Sequence, residues 1–512
     1  MRFLLPLLLV FSALLCLLPG CEPKEDLVTK DASAKLEFSA DTVLFDTVFA
    51  QVGTVSKRLW VYNRNSRAVK VREIRLANTN PGTYSLLING DETRVANDLE
   101  IRGKDSLLIL VKAVLGPNAT NNKPFLVDDQ VLFNTNGNEQ DVKLVAYGQN
   151  AYFHGPEEHI TRNTTWPKNR PHVIYGYVVV DAGVTLRIQP GTRIYSHAGS
   201  AMLVRGTLRV NEATNPSGEL TPTDTATFVR FQGDRLEPFY ADIPGQWLGI
   251  QFDPSSSRNN LVRFTEIKNA SYGLLILNLL NGPHPRVTAE NTILRNISGE
   301  ARSFGGGDNG LSFEGAGVFG FSGDFDLRNC LFTNCGEYAV RGIGGTYNLN
   351  FCTIANYTPQ FRRESQSLWF TNEVATEQAV VPNIVRVTVD NSIIWGSIDD
   401  ELFFKNGNAY RSNINIQNSI LRTKDYAAAM DAGDKLGFDN RGNQIGPIAD
   451  LNFPKFKSTP FRSFGNKFDY RLDTLSPASN KGVFNSAIPR DLLNKPRSIT
   501  APDLGAYERV NP

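Results

Sequence analysis

An eight-residue segment recurs six times in the second half of this chain, and this repeat constrains the fold more than any other feature. The first and sixth positions are apolar in every copy, although only 41% of the residues in the chain are apolar. Such internal repeats are typical of folds that stack one structural unit on the next. The copies are VRFTEIKN, AENTILRN, LRNCLFTN, LNFCTIAN, VDNSIIWG and IQNSILRT, which begin at Val262, Ala289, Leu327, Leu349, Val389 and Ile416.

The spacing of the copies predicts coils of unequal length. Successive copies begin 27, 38, 22, 40 and 27 residues apart, so the shortest interval is one bare coil and the longer ones carry loop insertions. In a stack of coils each strand pairs with the strand above it at about 4.8 Å, and equivalent side chains form ladders. We therefore expect the first and sixth positions to line an apolar interior.

Asparagine marks the third and eighth positions of the repeat. We expect these positions at the corners of the coils, because Asn tolerates left-handed backbone and its amide can bond to the next Asn in the stack. The third position holds Asn291, Asn329, Asn391 and Asn418, with Phe264 and Phe351 in the other two copies, and the eighth holds Asn269, Asn296, Asn334 and Asn356.

The repeats continue a pattern that begins near Trp166. The stretch GYVVVDAGVTLRIQPGTRIYSHAGSAMLVRGTLRV joins short strands through Gly and shows no helical period. It resembles the first coils of right-handed parallel β-helix proteins, which have the pectin lyase-like fold. The resemblance implies that residues 151–512 form a right-handed, single-stranded parallel β-helix. Coils cannot bury their faces alone, so the array must be long and its ends covered.

The last part of the chain resembles the closing segment of many bacterial β-helix surface proteins. The residues that carry the resemblance are SPASNKG and, further on, PDLGAYE. We expect a capping segment at about residues 474–508, in which Arg497 pairs with Asp503 or Glu508 and Tyr507 covers the last coil. Such a cap protects an otherwise open strand edge.

Residues 36–150 show a different pattern, in which apolar and polar residues alternate along short segments. Seven or so such segments, separated by turn clusters such as NTNPG and NTNG, are typical of a β-sandwich. The stretch FDTVFAQVGTVSKRLWVYNRNSRAVKV resembles the immunoglobulin-like modules that open many bacterial cell-surface proteins. The predicted fold class is therefore all-β, with an Ig-like sandwich that spaces or supports the β-helix behind it.

The start of the chain resembles the export signal of Bacteroidetes-type outer-membrane lipoproteins. Residues 4–18 are apolar but too short and too broken for a membrane-spanning helix, and LPGC resembles a lipobox that ends at Cys21. The resemblance implies a signal peptide at 1–20 and a diacylglycerol on the Cys21 thiol, which anchors the chain to the membrane. Residues 21–35 form a polar tether, in which EPKEDL is either a signal for the outer face of the outer membrane or a simple spacer. The expected location is the outer membrane, with the chain exposed at the cell surface.

Charge, cysteine and histidine content exclude several functions. Lys and Arg number 53 against 52 Asp and Glu, so the chain lacks the basic excess of a nucleic-acid-binding protein. Cys330 and Cys352 share one repeat position in successive coils, and we expect two buried thiols there rather than a disulfide. His154 and His159 have no third ligand at metal spacing, so no metal site is predicted.

Two groups of charged residues are candidates for catalysis. Polysaccharide lyases with a β-helix fold use a Lys or Arg base beside acidic Ca²⁺ ligands, and the related hydrolases use clustered Asp residues. The lyase-like candidates are Glu266, Lys268, Arg263 and Arg295, and the carboxylate pair is Asp324 and Asp326. A solvated charged face explains the first group equally, and an ordinary strand entry explains the second. Ca²⁺ is a predicted cofactor only if the protein is a lyase.

A charged and aromatic loop is the candidate for binding a sugar. Aromatic rings stack on the apolar faces of sugars, and the loop combines such rings with hydrogen-bonding charges. Its members are Asp234, Arg235, Phe239, Tyr240 and Trp247. Packing of a surface loop is the alternative interpretation.

The sequence favours a lipid-anchored cell-surface protein that binds glycans or partner proteins without catalysis. The alternative is a polysaccharide lyase or glycoside hydrolase that acts on the β-helix face. Convergent carboxylates, or a Lys/Arg pair beside Ca²⁺-type Asp ligands, would favour the enzyme. Aromatic residues with few perturbed ionisable groups would favour binding.

Overall fold

The computed structural model describes residues 27–509, except for 51–52, 79–82, 118–123, 214, 280–281, 305–310, 360–361, 376–379, 428–435, 439–440, 451 and 461–467. The predicted signal peptide and Cys21 lie outside these residues. The described chain is all-β, with two short 3-10 helices at Pro238–Tyr240 and Gly407–Asn413. None of its helices is long and apolar enough to cross a membrane. Contacts divide the chain into a first unit that ends at Asn150 and a second that begins at Ala151.

The first unit is built from short strands. They are β1 (Val28–Thr29), β2 (Glu37–Phe38), β3 (Thr42–Phe49), β4 (Lys57–Tyr62), β5 (Ala68–Leu76), β6 (Tyr84–Ile88), β7 (Asp91–Thr93), β8 (Val95–Ile101), β9 (Ser106–Ala113), β10 (Phe125–Thr135) and β11 (Asn138–Gln149). One sheet has the order β1-β5-β10-β11-β3, with β8 paired to β5, and the other has the order β2-β4-β9-β6-β7.

The alternation in the first unit places every second side chain in one core. Leu59 and Val61 on β4 are fully buried, as are Leu86 on β6 and Val71 on β5, and these residues from both sheets belong to a single cluster. Alternation of this kind follows from the two-residue period of a strand. The predicted β-strand character is confirmed, and the Ig-like connectivity stays a prediction.

The second unit contains the remaining strands. They are β12 (Tyr152–His154), β13 (Glu157–Ile160), β14 (Thr164–Trp166), β15 (His172–Ile174), β16 (Tyr177–Val180), β17 (Thr185–Ile188), β18 (Arg193–Ser196), β19 (Ala201–Val204), β20 (Thr207–Val210), β21 (Val229–Gly233), β22 (Gly249–Phe252), β23 (Asn260–Lys268), β24 (Tyr272–Leu277), β25 (Arg286–Ile297), β26 (Ala301–Phe304), β27 (Leu311–Glu314), β28 (Ala316–Phe321), β29 (Asp324–Arg328), β30 (Leu331–Cys335), β31 (Tyr338–Ile343), β32 (Gly345–Asn350), β33 (Thr353–Asn356), β34 (Leu368–Thr371), β35 (Glu373–Ala375), β36 (Val380–Pro382), β37 (Val385–Asp390), β38 (Ile393–Gly396), β39 (Leu402–Lys405), β40 (Ile414–Gln417), β41 (Ile420–Leu421), β42 (Gln444–Ile445), β43 (Phe456–Ser458) and β44 (Asp469–Leu472).

Most of these strands belong to three parallel ladders that the chain visits in turn. The first ladder runs β14-β17-β20-β23-β25-β29-β32-β37-β40. The second runs β12-β15-β18-β21-β23-β25-β30-β33-β38-β41-β42. The third runs β13-β16-β19-β22-β24-β28-β31-β34-β39. Strands β23 and β25 are long enough to bend from the first ladder into the second. This parallel, coiled stacking fits a β-helix.

The register of the ladders confirms the alignment of the repeats. Val262 lies beside Ala289, and Ala289 beside Leu327, and the same order continues through all six copies. Every first- and sixth-position residue is at most 1% exposed. These residues form the inner core of the stack, as the sequence predicts.

The corners between the first and second ladders have the predicted left-handed backbone. The φ angles of the third-position residues are 39° at Phe264, 50° at Asn291, 50° at Asn329, 53° at Phe351, 52° at Asn391 and 49° at Asn418. The predicted amide ladder is present at the eighth position, where the amide of Asn334 donates to Asn296 over 2.7 Å. At the third position most amides donate to carbonyls of the last segment of the chain, and Asn329 also donates to Asn291 over 3.4 Å.

The closing segment, residues 476–508, lies along the side of the stack. The Asn329 amide donates to the Arg490 carbonyl over 2.7 Å, and Gly505 N–H donates to the Asn391 carbonyl over 2.8 Å. The prediction that Tyr507 covers the last coil is therefore wrong. Tyr507 is 7% exposed and belongs to an outer apolar cluster along the second ladder. That cluster joins Ile293, Leu331, Ile393 and Ile420 of the stack to Leu472, Ala478, Leu492, Leu504, Ala506 and Tyr507.

Arg497 holds this segment in place. Its guanidinium donates to the Asn329 side-chain oxygen over 2.8 Å and to the Gly505 carbonyl over 2.9 Å. It also donates to the backbone oxygen of Asp503 over 3.3 Å and lies 3.4 Å from a carboxylate oxygen of Glu508. The predicted ion pair with Glu508 is present, whereas Asp503 contributes its carbonyl rather than its carboxylate.

Candidate functional site

Two clefts adjoin along the corner between the first and second ladders. The first has a volume of about 500 Å³ and the second about 570 Å³, and both are lined by Asn215, Pro216 and Ser217. Together we call them the corner groove. The first cleft also includes Lys168, Gln189, Pro190, Ala213, Ala226 and Thr227, and the second includes Gly218, Arg263, Phe264, Glu290, Asn291, Arg328, Asn329, Ala487, Ile488, Pro489, Arg490 and Asn494.

The groove crosses six coils. Its lining residues follow β14, β17 and β20, lie at the bends within β23 and β25, and reach the end of β29, and these six strands pair successively in parallel. At about 4.8 Å for each coil, the groove is about 24 Å long. A surface of this length and shape accommodates an extended chain rather than one small molecule.

A column of alternating charge lines the second cleft. Register places Arg263 beside Glu290 and Glu290 beside Arg328. An Arg328 nitrogen donates to a Glu290 oxygen over 3.2 Å, and Arg263 Nε lies 3.5 Å from the other Glu290 oxygen. Opposite charges on neighbouring strands stabilise the pairing. The Arg263 guanidinium also donates to the side chain of Asn215, and this hydrogen bond holds the loop that contains Asn215, Pro216 and Ser217.

The closing segment supplies the opposite wall of the second cleft. The Asn494 amide donates to the Pro216 carbonyl over 3.1 Å and to the Gly218 carbonyl over 2.8 Å, so the segment is tied to the loop in the floor. Arg490 is exposed, and its guanidinium donates to the Asn494 carbonyl over 2.7 Å. No carboxylate of the described chain forms an ion pair with Arg490.

The predicted lyase-like cluster is divided by the corner. Left-handed backbone at Phe264 turns the chain between Arg263 and Glu266, so Arg263 lies in the groove and Glu266 lies on the second ladder. Glu266 lies between two guanidiniums, 3.2 Å from Arg230 and 2.7 Å from Arg295. Burial raises the pKa of Glu266, but these cations and Lys268 outweigh it and hold the pKa below its usual value. A carboxylate that stays ionised cannot act as a general acid at neutral pH.

The other members of that cluster are covered by the loop before Trp247. Asp242 accepts from Arg295 over 3.2 Å, and the Lys268 ammonium donates to the Ala241 carbonyl over 3.3 Å. Burial and the neighbouring Arg295 lower the pKa of Lys268. For Arg295, burial lowers the pKa but Glu266 outweighs it, so the net shift is upward. Of the pKa shifts at Glu266, Lys268 and Arg295, only the lowering at Lys268 is in the direction that a catalytic base requires.

The predicted carboxylate pair lies on the outer side of β29, and each carboxylate pairs with at least one guanidinium. Asp324 lies 2.8 Å from Arg258 and 3.2 Å from His284. Burial raises the pKa of Asp324, but the hydrogen bonds from His284 and Arg258 outweigh it and lower the pKa overall. Asp326 accepts from Arg286 over 3.0 Å and from Arg328 over 2.5 Å. The pair therefore forms part of a network of ion pairs.

The predicted sugar-binding loop is only partly available to a ligand. Phe239 is 75% exposed, whereas Trp247 is 1% exposed and stacks on Phe231 in the inner core, with ring centroids 6.4 Å apart. The placement of Trp247 in a binding loop is wrong, because its side chain points inward from the chain. The Arg235 guanidinium lies 3.8 Å above the Tyr240 ring.

Asp234 is also held within the protein, since its carboxylate lies 2.7 Å from His197 Nδ1.

The predicted buried thiols are found, because Cys330 and Cys352 are buried and are not joined by a disulfide. Among the residues that the structure describes, no three His, Cys, Asp or Glu side chains are grouped to hold a metal ion.

The sequence contained a signal for part of the groove that its interpretation missed. The second position of the repeat holds Arg263, Glu290 and Arg328 in three successive copies, which predicts a stacked column of alternating charge. The interpretation grouped Arg263 with Glu266 instead. Arg490 and Asn494 carry no such signal, because their place depends on where the closing segment docks.

Comparisons with known proteins do not assign a family. No family model and no curated protein matches the chain. A PapD-like domain of human CEP192 aligns at 12% identity over 26% of this chain and 95% of that chain, with a TM-score of 0.16. The catalytic unit of a GH87 α-1,3-glucanase from Streptomyces thermodiastaticus aligns at 11% identity over 71% of this chain and 79% of that chain, with a TM-score of 0.25. A family 123 glycoside hydrolase from Clostridium perfringens aligns at 9% identity over 24% of this chain and 31% of that chain, with a TM-score of 0.17.

Proposed function

We propose that this protein binds an extended glycan along the corner groove and does not cleave it. The observation that carries the proposal is the groove itself, which crosses six coils and is lined by amide, hydroxyl and guanidinium groups. Such groups exchange hydrogen bonds with sugar hydroxyls. The carboxylates that the sequence offers for catalysis are held in ion pairs with Arg, which supports binding rather than acid–base chemistry.

The proposal also covers two features of the fold, the right-handed form of the β-helix and the Ig-like fold of the first unit. A right-handed, single-stranded β-helix displays the groove, and an Ig-like module spaces it from the point of attachment. The parallel coils support the β-helix, and the two sheets of the first unit support the Ig-like module. A partner protein that presents an extended surface segment is the alternative ligand for the same groove.

Binding without cleavage is tested by calorimetric titration with neutral and acidic oligosaccharides, alongside assays for reducing ends and unsaturated products. We expect saturable binding of at least one oligosaccharide and no product. Ser217→Trp fills the point where the two clefts meet and should abolish the binding, because Ser217 is exposed and lines both clefts. Ser255→Trp, at an exposed serine outside the groove, is the matched control and should bind as the original chain does.

A polysaccharide lyase is the alternative function. Register places Lys268 beside Arg295, as in a Lys/Arg pair, and burial together with Arg295 lowers the pKa of Lys268 in the direction that a base requires. Ca²⁺ belongs to this alternative alone. Unsaturated products released by the unmodified chain and lost in Lys268→Met would establish the lyase and refute the binding proposal. The absence of products at every pH, together with retained binding, would exclude it.

We also propose that Cys21 carries the lipid that anchors the chain at the outer membrane. The lipobox-like LPGC and the polar residues after it support this location. Cells fed labelled palmitate should incorporate it into the unmodified chain and into Cys16→Ala, but not into Cys21→Ala. Cys16 is the matched control, since it lies within the apolar leader. Label that remains in Cys21→Ala would refute the anchor.

A further inference from the structure

We infer that the second cleft of the corner groove binds an anionic group of the glycan, a carboxylate or a sulfate, and that Arg490 is its principal ligand. This inference rests on the proposed function, because it names the chemical class of the glycan. It follows from the charges of the second cleft and from the contrast between the two clefts.

The second cleft carries an excess of positive charge. Its charged lining residues are Arg263, Arg328, Arg490 and Glu290, so three guanidiniums face one carboxylate. Glu290 is shared between Arg263 and Arg328, and Asp326 pairs with Arg328 from outside the cleft, so neither carboxylate offsets the charge of Arg490. A cleft with this imbalance attracts anions, and its recessed walls strengthen the attraction.

Arg490 is the guanidinium that is free to meet a ligand. Its one hydrogen bond to the described residues goes from a terminal nitrogen to the neutral Asn494 carbonyl. A guanidinium offers five N–H donors in a planar fork, so Arg490 keeps donors for a carboxylate or sulfate. Docking of the closing segment fixes the backbone here, because the Arg490 carbonyl accepts from Asn329 over 2.7 Å.

Arg263 adds a second donor in the same cleft. Its Nε is buried and has no hydrogen-bond partner among the described residues, since the nearest Glu290 oxygen is 3.5 Å away. Because Nε is covered, a ligand in the cleft would meet the terminal nitrogens of Arg263, one of which donates to the Asn215 side chain. Arg263 is 15% exposed, which leaves it in contact with the cleft.

The first cleft has fewer charged lining residues than the second, so the two ends of the groove differ in what they can bind. Its charged lining residue is Lys168, and the others, including Gln189, Asn215, Ser217 and Thr227, are neutral. The single ammonium of Lys168 offers a weaker anion site than the grouped guanidiniums of the second cleft, so we expect the anionic sugar at the coils of β23, β25 and β29.

The experiment titrates the full chain with three hexasaccharides: a uronic-acid hexamer, its carboxyl-reduced neutral counterpart and the same neutral hexamer bearing sulfate. We expect the uronic-acid or the sulfated hexamer to bind about tenfold more tightly than the neutral one, which corresponds to one charge-assisted contact. The preference should weaken as salt rises, because the cleft is open to solvent. The anion that shows the preference identifies the group.

Arg490→Gln should remove most of that preference, so that the anionic and the neutral hexamers bind this variant with similar affinity. Arg362→Gln is the control, because Arg362 is also exposed but lies outside the groove. Equal binding of the neutral and anionic hexamers by the unmodified chain would overturn the inference and leave the proposed function standing. A preference that survives in Arg490→Gln would also overturn it. If no hexasaccharide binds, the proposal of a glycan ligand in the groove fails as well.

Discussion

Replacing Glu401 by Gln is expected to lower the free energy of unfolding of the second unit by about 3–5 kcal/mol. Glu401 and Arg363 are both fully buried, and an Arg363 nitrogen lies 2.6 Å from a Glu401 oxygen. The other carboxylate oxygen accepts from the Ser367 hydroxyl over 2.6 Å and from its N–H over 3.2 Å. The substitution leaves a buried guanidinium without its counter-charge, which is far more costly than losing a solvent-exposed pair.

The position of this ion pair explains why the effect should reach beyond one contact. Arg363 lies in the insertion that makes the interval between the repeats at Leu349 and Val389 40 residues long. Besides Arg363 in that insertion, the Glu401 carboxylate accepts from Ser367, which directly precedes β34, and from Ile398 N–H over 3.2 Å. Losing the carboxylate should therefore loosen the insertion and the next coil together.

Urea unfolding followed by fluorescence measures the change. The matched control is Glu364→Gln, since Glu364 pairs with Arg362 at 3.8 Å and both side chains are largely exposed. Surface pairs of this kind contribute little, so the control should unfold at the original urea concentration. Equal midpoints for Glu401→Gln and Glu364→Gln would contradict the role assigned to the buried pair.

Replacing Arg497 by Met is expected to lower the free energy of unfolding by a similar amount, about 3–5 kcal/mol, and to release the closing segment. The Arg497 side chain is fully buried and lies 3.9 Å above the Phe351 ring. Methionine fills part of the space but donates no hydrogen bonds, so the acceptors on Asn329, Gly505 and Glu508 lose their partner.

Release of the segment has two measurable consequences. Apolar side chains of the second ladder, including Ile293, Leu331 and Ile393, should become exposed and bind a hydrophobic dye. Limited proteolysis should cut within residues 476–508 more readily in this variant than in the original chain. Arg471→Met is the control, because Arg471 is 44% exposed and pairs with Asp469 at the surface. An Arg497→Met chain that resists both protease and dye would contradict the account.

Arg497 also links stability to binding. The segment that it holds carries Arg490 and Asn494, which form the wall of the second cleft. The folded fraction of Arg497→Met should therefore lose the preference for an anionic glycan. Glu401→Gln should retain that preference in its folded fraction, because Glu401 does not line the corner groove.

The repeat predicted the inner core of the stack in detail, because an inward position is read directly from a regular period. The prediction of burial at the first and sixth positions needed only the recurrence of apolar side chains, and every one of these side chains is buried. The third position required left-handed backbone, and even Phe264 and Phe351 adopt it. Parallel register then fixed which side chains are neighbours.

The outer surface was harder to predict, because it depends on contacts between segments that are distant in sequence. Arg490 reaches the groove because its segment docks against Asn329, which lies 161 residues earlier in the chain. The grouping of Arg263 with Glu266 failed for a local reason. Both lie on one continuous strand in the sequence, but the corner at Phe264 directs them to different sides of the stack.

The central claim is that the corner groove binds an extended chain, and a length series measures this most directly. The full chain is titrated with one class of oligosaccharide, from the monosaccharide to the octamer. The account predicts that affinity rises with each added sugar until the groove of about 24 Å is filled, and then stays constant. It also predicts that Ser217→Trp removes this increase. A monosaccharide that binds as tightly as the octamer, or a length dependence that Ser217→Trp leaves unchanged, would contradict the claim.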